Sequence, residues 1–219
     1  MKKIAVIRSP FNEKFGIPRQ SGLAKGLKAD IIFEPEYRNR EALRGLEDFS
    51  HIWLIWEFSK AKRDEWSPTV RPPRLGGNKR MGVFSTRSPF RPNPIGLSCV
   101  KLENINFGEE GPVITVSGAD LLDGTPIYDI KPYLPYADCI PEASGGFTDT
   151  TEKKSVKVVF SKEFKNVTKE FLNELSSVLE LDPRPSYQND SERIYNMTFS
   201  NREIKFKVED NILTVIEII

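Results

Sequence analysis

The chain has 219 residues, of which 38% are hydrophobic and 29% charged; this is enough for one large domain, or one domain with a small appendage, and too apolar for a disordered chain. Lys and Arg number 32 against 31 Asp and Glu, a net charge of +1, so bulk charge indicates no partner and any electrostatic argument must be local. Two cysteines and one histidine exclude a disulfide framework and cannot supply the cluster of about four ligands that a structural zinc needs, so no metal is expected.

The opening "MKKIAVIRSPF" has two lysines followed by four apolar residues, short of the ~7–15-residue apolar core of a signal peptide. No run reaches the ~18 apolar residues of a membrane span, so a cytoplasmic protein without membrane contact is expected. Ile4–Ile7 reads as a short buried strand ended by Arg8-Ser9-Pro10, and Ile31–Phe33 as another ended by Pro35. Over Arg40–Phe49, Ala42, Leu43, Leu46 and Phe49 recur at helical spacing and predict a short helix. "HIWLIWEF" (His51–Phe58) is dense in aromatic and β-branched residues and predicts a central strand. Gly82–Ser85, Leu97–Ile105, Val113–Ser117 and Ile127–Ile130 extend the strand series. Closely spaced strands with few helices predict a mainly β fold, a barrel or sandwich over residues 1–140, rather than a βαβ sheet.

Composition changes at "PEASGGFTDTTEKK" (residues 141–154), a small, polar stretch without apolar periodicity that reads as a linker. Residues 155–219 then predict a small α+β C-terminal domain. It has a strand at Val156–Phe160 and an amphipathic helix over Lys162–Leu181, with Phe164, Val167, Phe171, Leu175 and Val178 on one face. "DPRPSY" (Asp182–Tyr187) stops that helix, since proline cannot continue one, and Ile194–Phe199, Glu203–Val208 and Ile212–Ile218 follow as a meander. On this reading the barrel owns its core, and a cut near Ser155 leaves it folded and able to bind its ligand.

Chemistry concentrates in a few stretches. From Arg71 to Arg91 there are six basic residues (Arg71, Arg74, Lys79, Arg80, Arg87, Arg91) and no acid, set among prolines and glycines. Proline fixes φ and glycine allows close backbone approach, a combination suited to a shaped anion-binding surface for phosphate or polynucleotide rather than a solvated loop. The tetrapeptide "RSPF" occurs at Arg8–Phe11 and again at Arg87–Phe90, which raises the question whether two stiff arginine arms serve one pocket. "DLLDGTPIYDIKPYLPYAD" places Asp120, Asp123 and Asp129 on or beside strands; Asp123 can simply start a turn, and the others suit an arginine partner, a ribose hydroxyl or a proton-accepting role. Tyr128, Tyr133 and Tyr136 suit either base stacking or the core, Trp53 and Trp56 suit the core, and His51 a structural hydrogen bond. Neither G-x-G-x-x-G nor the Walker loop is present, so no nucleotide-like cofactor is held by a glycine loop of either kind. Asn93-Pro94-Ile95 approaches the Asn-Pro-Pro-aromatic signature of exocyclic-amine methyltransferases, but Ile95 breaks it.

"IRSPF…PRQ", "RGLEDFSHIWLI", "TVRPPRLGGNKRMGVFSTRSPFRPNPIGLS" and "LLDGTPIYDIKPYLPYAD", with "DPRPSY" in the tail, resemble the TsaA-like family, whose characterised members are the TrmO tRNA methyltransferases. The resemblance is dense over about residues 3–140. It implies a β-barrel, usually a homodimer, that binds S-adenosyl-L-methionine without a Rossmann fold. It also implies methylation of the exocyclic nitrogen of threonylcarbamoyl-adenosine at position 37, in the tRNA anticodon stem-loop. Carried onto this chain, the cofactor pocket would draw on Arg19, Gln20 and Ser21, on Phe58 and Ser59, on Arg87 and Leu97, and on Gly118, Ala119, Asp120 and Leu121. Ser21 stands where members often have proline. Asp123 and Asp129 are then the candidates for the catalytic proton acceptor, and Arg71, Arg74, Lys79, Arg80, Arg91, Arg184 and Tyr187 for RNA contacts. A non-catalytic RNA-binding or cofactor-sensing protein on the same barrel is the alternative.

Overall fold

The structure is a computed structural model that describes residues 1–61, 65–75, 78–151, 155–184, 188 and 190–219, without the side chain of Arg74. Strict alternation builds the barrel. In β3 (His51–Glu57) every second residue is buried, and Ile52, Leu54 and Trp56 point inward. The other barrel strands are β1 (Ala5–Arg8), β2 (Lys28–Phe33), β6 (Ile95–Gly108), β7 (Gly111–Ser117) and β8 (Pro126–Pro132). They run antiparallel in the order β1-β2-β7-β6-β3-β8 and close β8 back onto β1. Closure leaves no free edge and encloses a core around Ile7, Ile31, Ile52, Leu54, Ile114 and Ile127. A two-stranded ribbon, β4 (Thr69–Val70) with β5 (Met81–Gly82), lies outside the barrel sheet, and a short helix α1 (Pro135–Asp138) follows β8.

The tail folds as β9 (Lys157–Phe160), α2 (Lys169–Leu179), β10 (Tyr195–Phe199), β11 (Arg202–Glu209) and β12 (Ile212–Ile218). Its sheet order is β10-β11-β12-β9, with β9 parallel to β12. The predicted meander turns on Ser200-Asn201 and Asp210-Asn211, all four at φ between 45° and 64°, the backbone that two-residue hairpin turns require.

Three predicted elements differ. Arg40–Phe49 is two 3-10 turns, Arg40–Leu43 and Leu46–Asp48, because Gly45 at φ 84° interrupts the helix. Gly82–Ser85 is a strand only to Gly82, after which Val83–Ser85 forms a 3-10 turn around buried Val83. The helix begins at Lys169 rather than Lys162, since the Thr168 hydroxyl accepts from the Phe171 N–H (3.1 Å) and caps it.

The larger difference lies in the second core. Beside Leu175, Val178, Leu179, Phe199, Phe206 and Val215 it takes in Phe11, Ala24 and Leu27 from the loop between β1 and β2. Phe11 meets Phe199 edge-on at 6.0 Å and Phe15 stacks on Phe206 at 6.4 Å. The Pro10 carbonyl accepts from Ser200 N–H (2.8 Å), and the Glu13 carboxylate from Thr198 N–H (2.6 Å). The tail domain therefore closes over a segment of the N-terminal half, and the barrel does not keep its whole apolar surface to itself.

Candidate cofactor and RNA site

At one end of the barrel, three chain segments converge. The loop Arg19–Gly22 lies against Gly118–Leu121, with Gly22 N–H donating to the Gly118 carbonyl (2.8 Å) and Gly118 N–H to that of Leu27 (3.0 Å). Gly118 is needed here for two reasons. Its φ is +79°, and a Cβ on it would lie 3.1 Å from Gly22 Cα. The third segment brings Arg87, whose guanidinium donates to the Gln20 side-chain oxygen, while the Gln20 amide nitrogen donates to the Arg19 carbonyl.

A polar line runs inward from Asp120. Trp56, inward on β3, donates its indole N–H to Ser98 Oγ (3.0 Å), and fully buried Ser98 donates to Asp120 Oδ1 (2.6 Å). An indole N–H only donates, so the single Ser98 hydroxyl proton is directed to the carboxylate. Burial lifts Asp120 above the ordinary carboxylate range. The Ser98 bond, its own and the Ser21 backbone N–H, and the Arg87 charge pull the other way without cancelling the lift. Sequence reasoning missed Ser98. The signal was a lone hydroxyl at an inward position of the apolar run "IGLSCV".

The other expected cofactor residues divide. Ala119 and Leu121 are buried in the barrel core, so only their backbone can face a ligand. Phe58 packs on Trp56 (4.2 Å between rings), and its N–H donates to the Pro94 carbonyl (2.8 Å); Ser59 is exposed. Leu97 points outward from β6 and is 53% exposed.

The two candidate catalytic carboxylates have separate settings. Asp123 accepts from Ser9 N–H (2.9 Å), and its own N–H donates to the Phe11 carbonyl (2.8 Å), so it ties down the first RSPF arm. Asp129 on β8 accepts from Ile130 N–H (3.0 Å) and pairs with Lys131 (2.9 Å), with 46% of its side chain exposed. It lies opposite Ile55, which lies opposite Leu97, so it shares the outward face with Leu97 at about two strand spacings, ~10 Å. Just before it on β8, Tyr128 donates to Glu57 (2.5 Å), which pushes the tyrosine's pKa up to about 12.

The RSPF copies fold alike and serve different places. In both, the serine oxygen accepts from the phenylalanine N–H two residues on, at 3.3 Å in each case. The first buries Phe11 in the tail core; the second delivers Arg87 to Gln20. Of the expected RNA-contacting residues, Arg71 and Lys79 are exposed, Arg80 is exposed and donates to Thr69 Oγ1 (2.8 Å), and Arg91 lies 5.9 Å from the Phe84 ring. Tyr187 and the Arg74 side chain lie outside the described residues. Arg184 is not presented as a surface cation. Its guanidinium makes a bidentate pair with Asp182 (2.8 and 2.9 Å), the two side chains being 11% and 13% exposed. Its carbonyl accepts from the Arg19 guanidinium (3.4 Å), joining the tail to the Arg19–Gly22 loop. Among the described residues no three His, Cys, Asp or Glu gather as a metal cluster would require, and no helix is long and apolar enough to cross a membrane.

Comparison with known proteins agrees with this architecture. The model of the tRNA-methyltransferase O N-terminal domain matches residues 6–139, and that of the TrmO C-terminal domain matches residues 153–219. The tRNA (adenine(37)-N6)-methyltransferase of Escherichia coli K12 is 41% identical over 95% of this chain and 93% of its own. The protein of that name from Eikenella corrodens is 46% identical over 74% of this chain and 92% of its own. The crystal structure of TrmO from Pseudomonas aeruginosa superposes with a TM-score of 0.80 at 32% identity, covering 99% of this chain and 97% of that one. The chain belongs to the TrmO family of S-adenosylmethionine-dependent tRNA methyltransferases.

Proposed function

We infer that the protein transfers a methyl group from S-adenosyl-L-methionine to the exocyclic N6 of adenosine 37 in tRNA, with the threonylcarbamoyl-modified base as the acceptor. The observation that carries this is the junction of Arg19–Gly22, Arg87 and Gly118–Asp120 at one end of the barrel, in a chain 41% identical to a tRNA (adenine(37)-N6)-methyltransferase. The residues fit the cofactor. A guanidinium backed by an amide suits a carboxylate, the Asp120 carboxylate suits an ammonium or ribose hydroxyls, and Leu97 offers apolar surface. When bound, S-adenosylmethionine supplies an electrophilic methyl group on a sulfonium.

The chain's own residues then position. Gln20 and Arg87 fix one end of the ligand, the Gly22–Gly118 contact fixes the loop, and Ser98 fixes the Asp120 rotamer. Alignment of this kind supplies much of the rate in a displacement. The N6 amine must lose a proton. Asp123 is occupied within a turn, so we assign that role to Asp129, the half-exposed carboxylate on the Leu97 face. We also propose a cytoplasmic homodimer, supported by the outward apolar residues Ile95 (36% exposed) and Leu97 on β6.

The test is nucleoside mass spectrometry of tRNA incubated with the purified protein and S-adenosylmethionine. A methyl group on N6 of adenosine 37 is expected, and Asp129→Asn should slow its appearance about 100-fold. Stoichiometric cofactor binding without turnover on any tRNA would replace this reading with the cofactor-sensing one. An Asp129→Asn variant as fast as the parent would leave the proton to another group.

A further inference from the structure

We propose that Trp66 and Phe84 form a stacking platform for one unpaired base of the RNA, beside the base that is methylated; this rests on the tRNA reading above. Trp66 is 50% and Phe84 72% exposed, yet their rings stack on each other at 6.0 Å and 28°. Two large apolar rings left in water gain nothing from the core, so their presentation calls for a partner. They are also held firmly. The segment carrying Trp66 is pinned to that carrying Phe84 by the pairing of Thr69 with Gly82 and by the Val83 N–H donating to the Pro68 carbonyl (2.9 Å). Buried Val83 anchors the turn from the inside.

The surroundings select the kind of partner. From Trp66 to Arg91 the chain carries six Lys or Arg and no acid, and Arg91 places its guanidinium 5.9 Å from the Phe84 ring. A protein partner covering the rings would have to desolvate these cations against apolar surface, which is costly. A single-stranded nucleic acid satisfies both features, since each base has a face to stack and each phosphate a charge to pair. Phe84 is three residues from Arg87, at most about 11 Å of chain, so the platform adjoins the cofactor end of the site.

The test uses the full chain and a labelled anticodon stem-loop RNA, titrated at several salt concentrations. Phe84→Ala and Trp66→Ala are each expected to weaken binding about tenfold, as lost base stacking does. The slope of log affinity against log salt should stay that of the parent, because stacking releases no counterions. Phe84→Tyr and Trp66→Phe should retain most of the affinity, and S-adenosylmethionine affinity should be the same in all four. Both rings are exposed, so truncation leaves the core intact. Parent-like RNA binding in both alanine variants would overturn the proposal. So would weakened RNA binding that tracks a change from dimer to monomer in sedimentation, which would assign the rings to a protein interface. A parent chain that binds no RNA would overturn the tRNA reading, and the platform with it.

Discussion

Asp120 is held at an energetic cost. Burial raises its pKa, so the folded chain binds a proton at pH values where the unfolded chain has already released it. The cost is therefore absent below the unfolded carboxylate pKa and grows as pH rises through the raised one. Asp120→Asn removes the charge while leaving Ser98 an oxygen to donate to. It should melt above the parent at pH 7–8, with the gain shrinking as pH falls toward 4, and bind S-adenosylmethionine at least about tenfold more weakly. Ser98→Ala should move stability the other way, by about 1–3 kcal/mol, because it strands the buried Trp56 N–H. Thermal melts across pH together with cofactor calorimetry check both variants. An Asp120→Asn chain that melts below the parent at pH 8 would mean that the carboxylate serves the fold rather than the ligand.

At the scale of elements, the ribbon and the arm after it carry the cations. Lys79 and Arg80 sit just before β5, and Arg80 is steadied by Thr69. Lys79→Ala and Arg80→Ala should each lower the salt slope of RNA binding by about one and leave cofactor affinity unchanged, the signature of a lost phosphate contact; parent-like slopes in both would place the phosphate track elsewhere. This arm was legible in the sequence as a cationic, acid-free, proline-rich run. The barrel was legible too, because runs dense in aromatic and β-branched residues, "HIWLIWEF" above all, separated by short turn signals, mark closely spaced strands. Short elements were not. Ala42, Leu43, Leu46 and Phe49 have helical spacing, but one left-handed Gly45 outweighs it. Arg184 reads as a free cation until Asp182, two residues before it, is seen to hold it. Trp66 and Phe84 are eighteen positions apart and meet only through the β4–β5 pairing. Local pattern cannot report such pairings.

The described residues form two apolar cores, and one segment belongs to both halves. Residues 9–27 leave the barrel at β1, bury Phe11, Ala24 and Leu27 against the tail sheet and α2, and carry between them Arg19–Gly22, the loop we propose for the cofactor. The Arg19 contact with the Arg184 carbonyl adds a second tie between that loop and the tail. From sequence the linker at 141–154 separates two independent units, because a composition shift marks where the chain crosses over and not which surfaces later share a core. The consequence concerns the cofactor. Phe11→Ala should cost about 3–5 kcal/mol, as removal of a fully buried phenyl ring does, and lower the urea midpoint accordingly. Because Phe11 anchors the segment that carries Arg19–Ser21, S-adenosylmethionine binding should weaken in the same variant under conditions where circular dichroism still reports a folded chain. A cut near Ser155 should act in the same direction and more strongly, since it uncovers Phe15 and Ile17 as well. Urea titration, far-ultraviolet circular dichroism and cofactor calorimetry on Phe11→Ala decide the matter. Parent-like cofactor affinity in a destabilised but folded Phe11→Ala chain would show that the loop is set by the Gly22–Gly118 contact alone, and that the tail serves the RNA without serving the methyl donor.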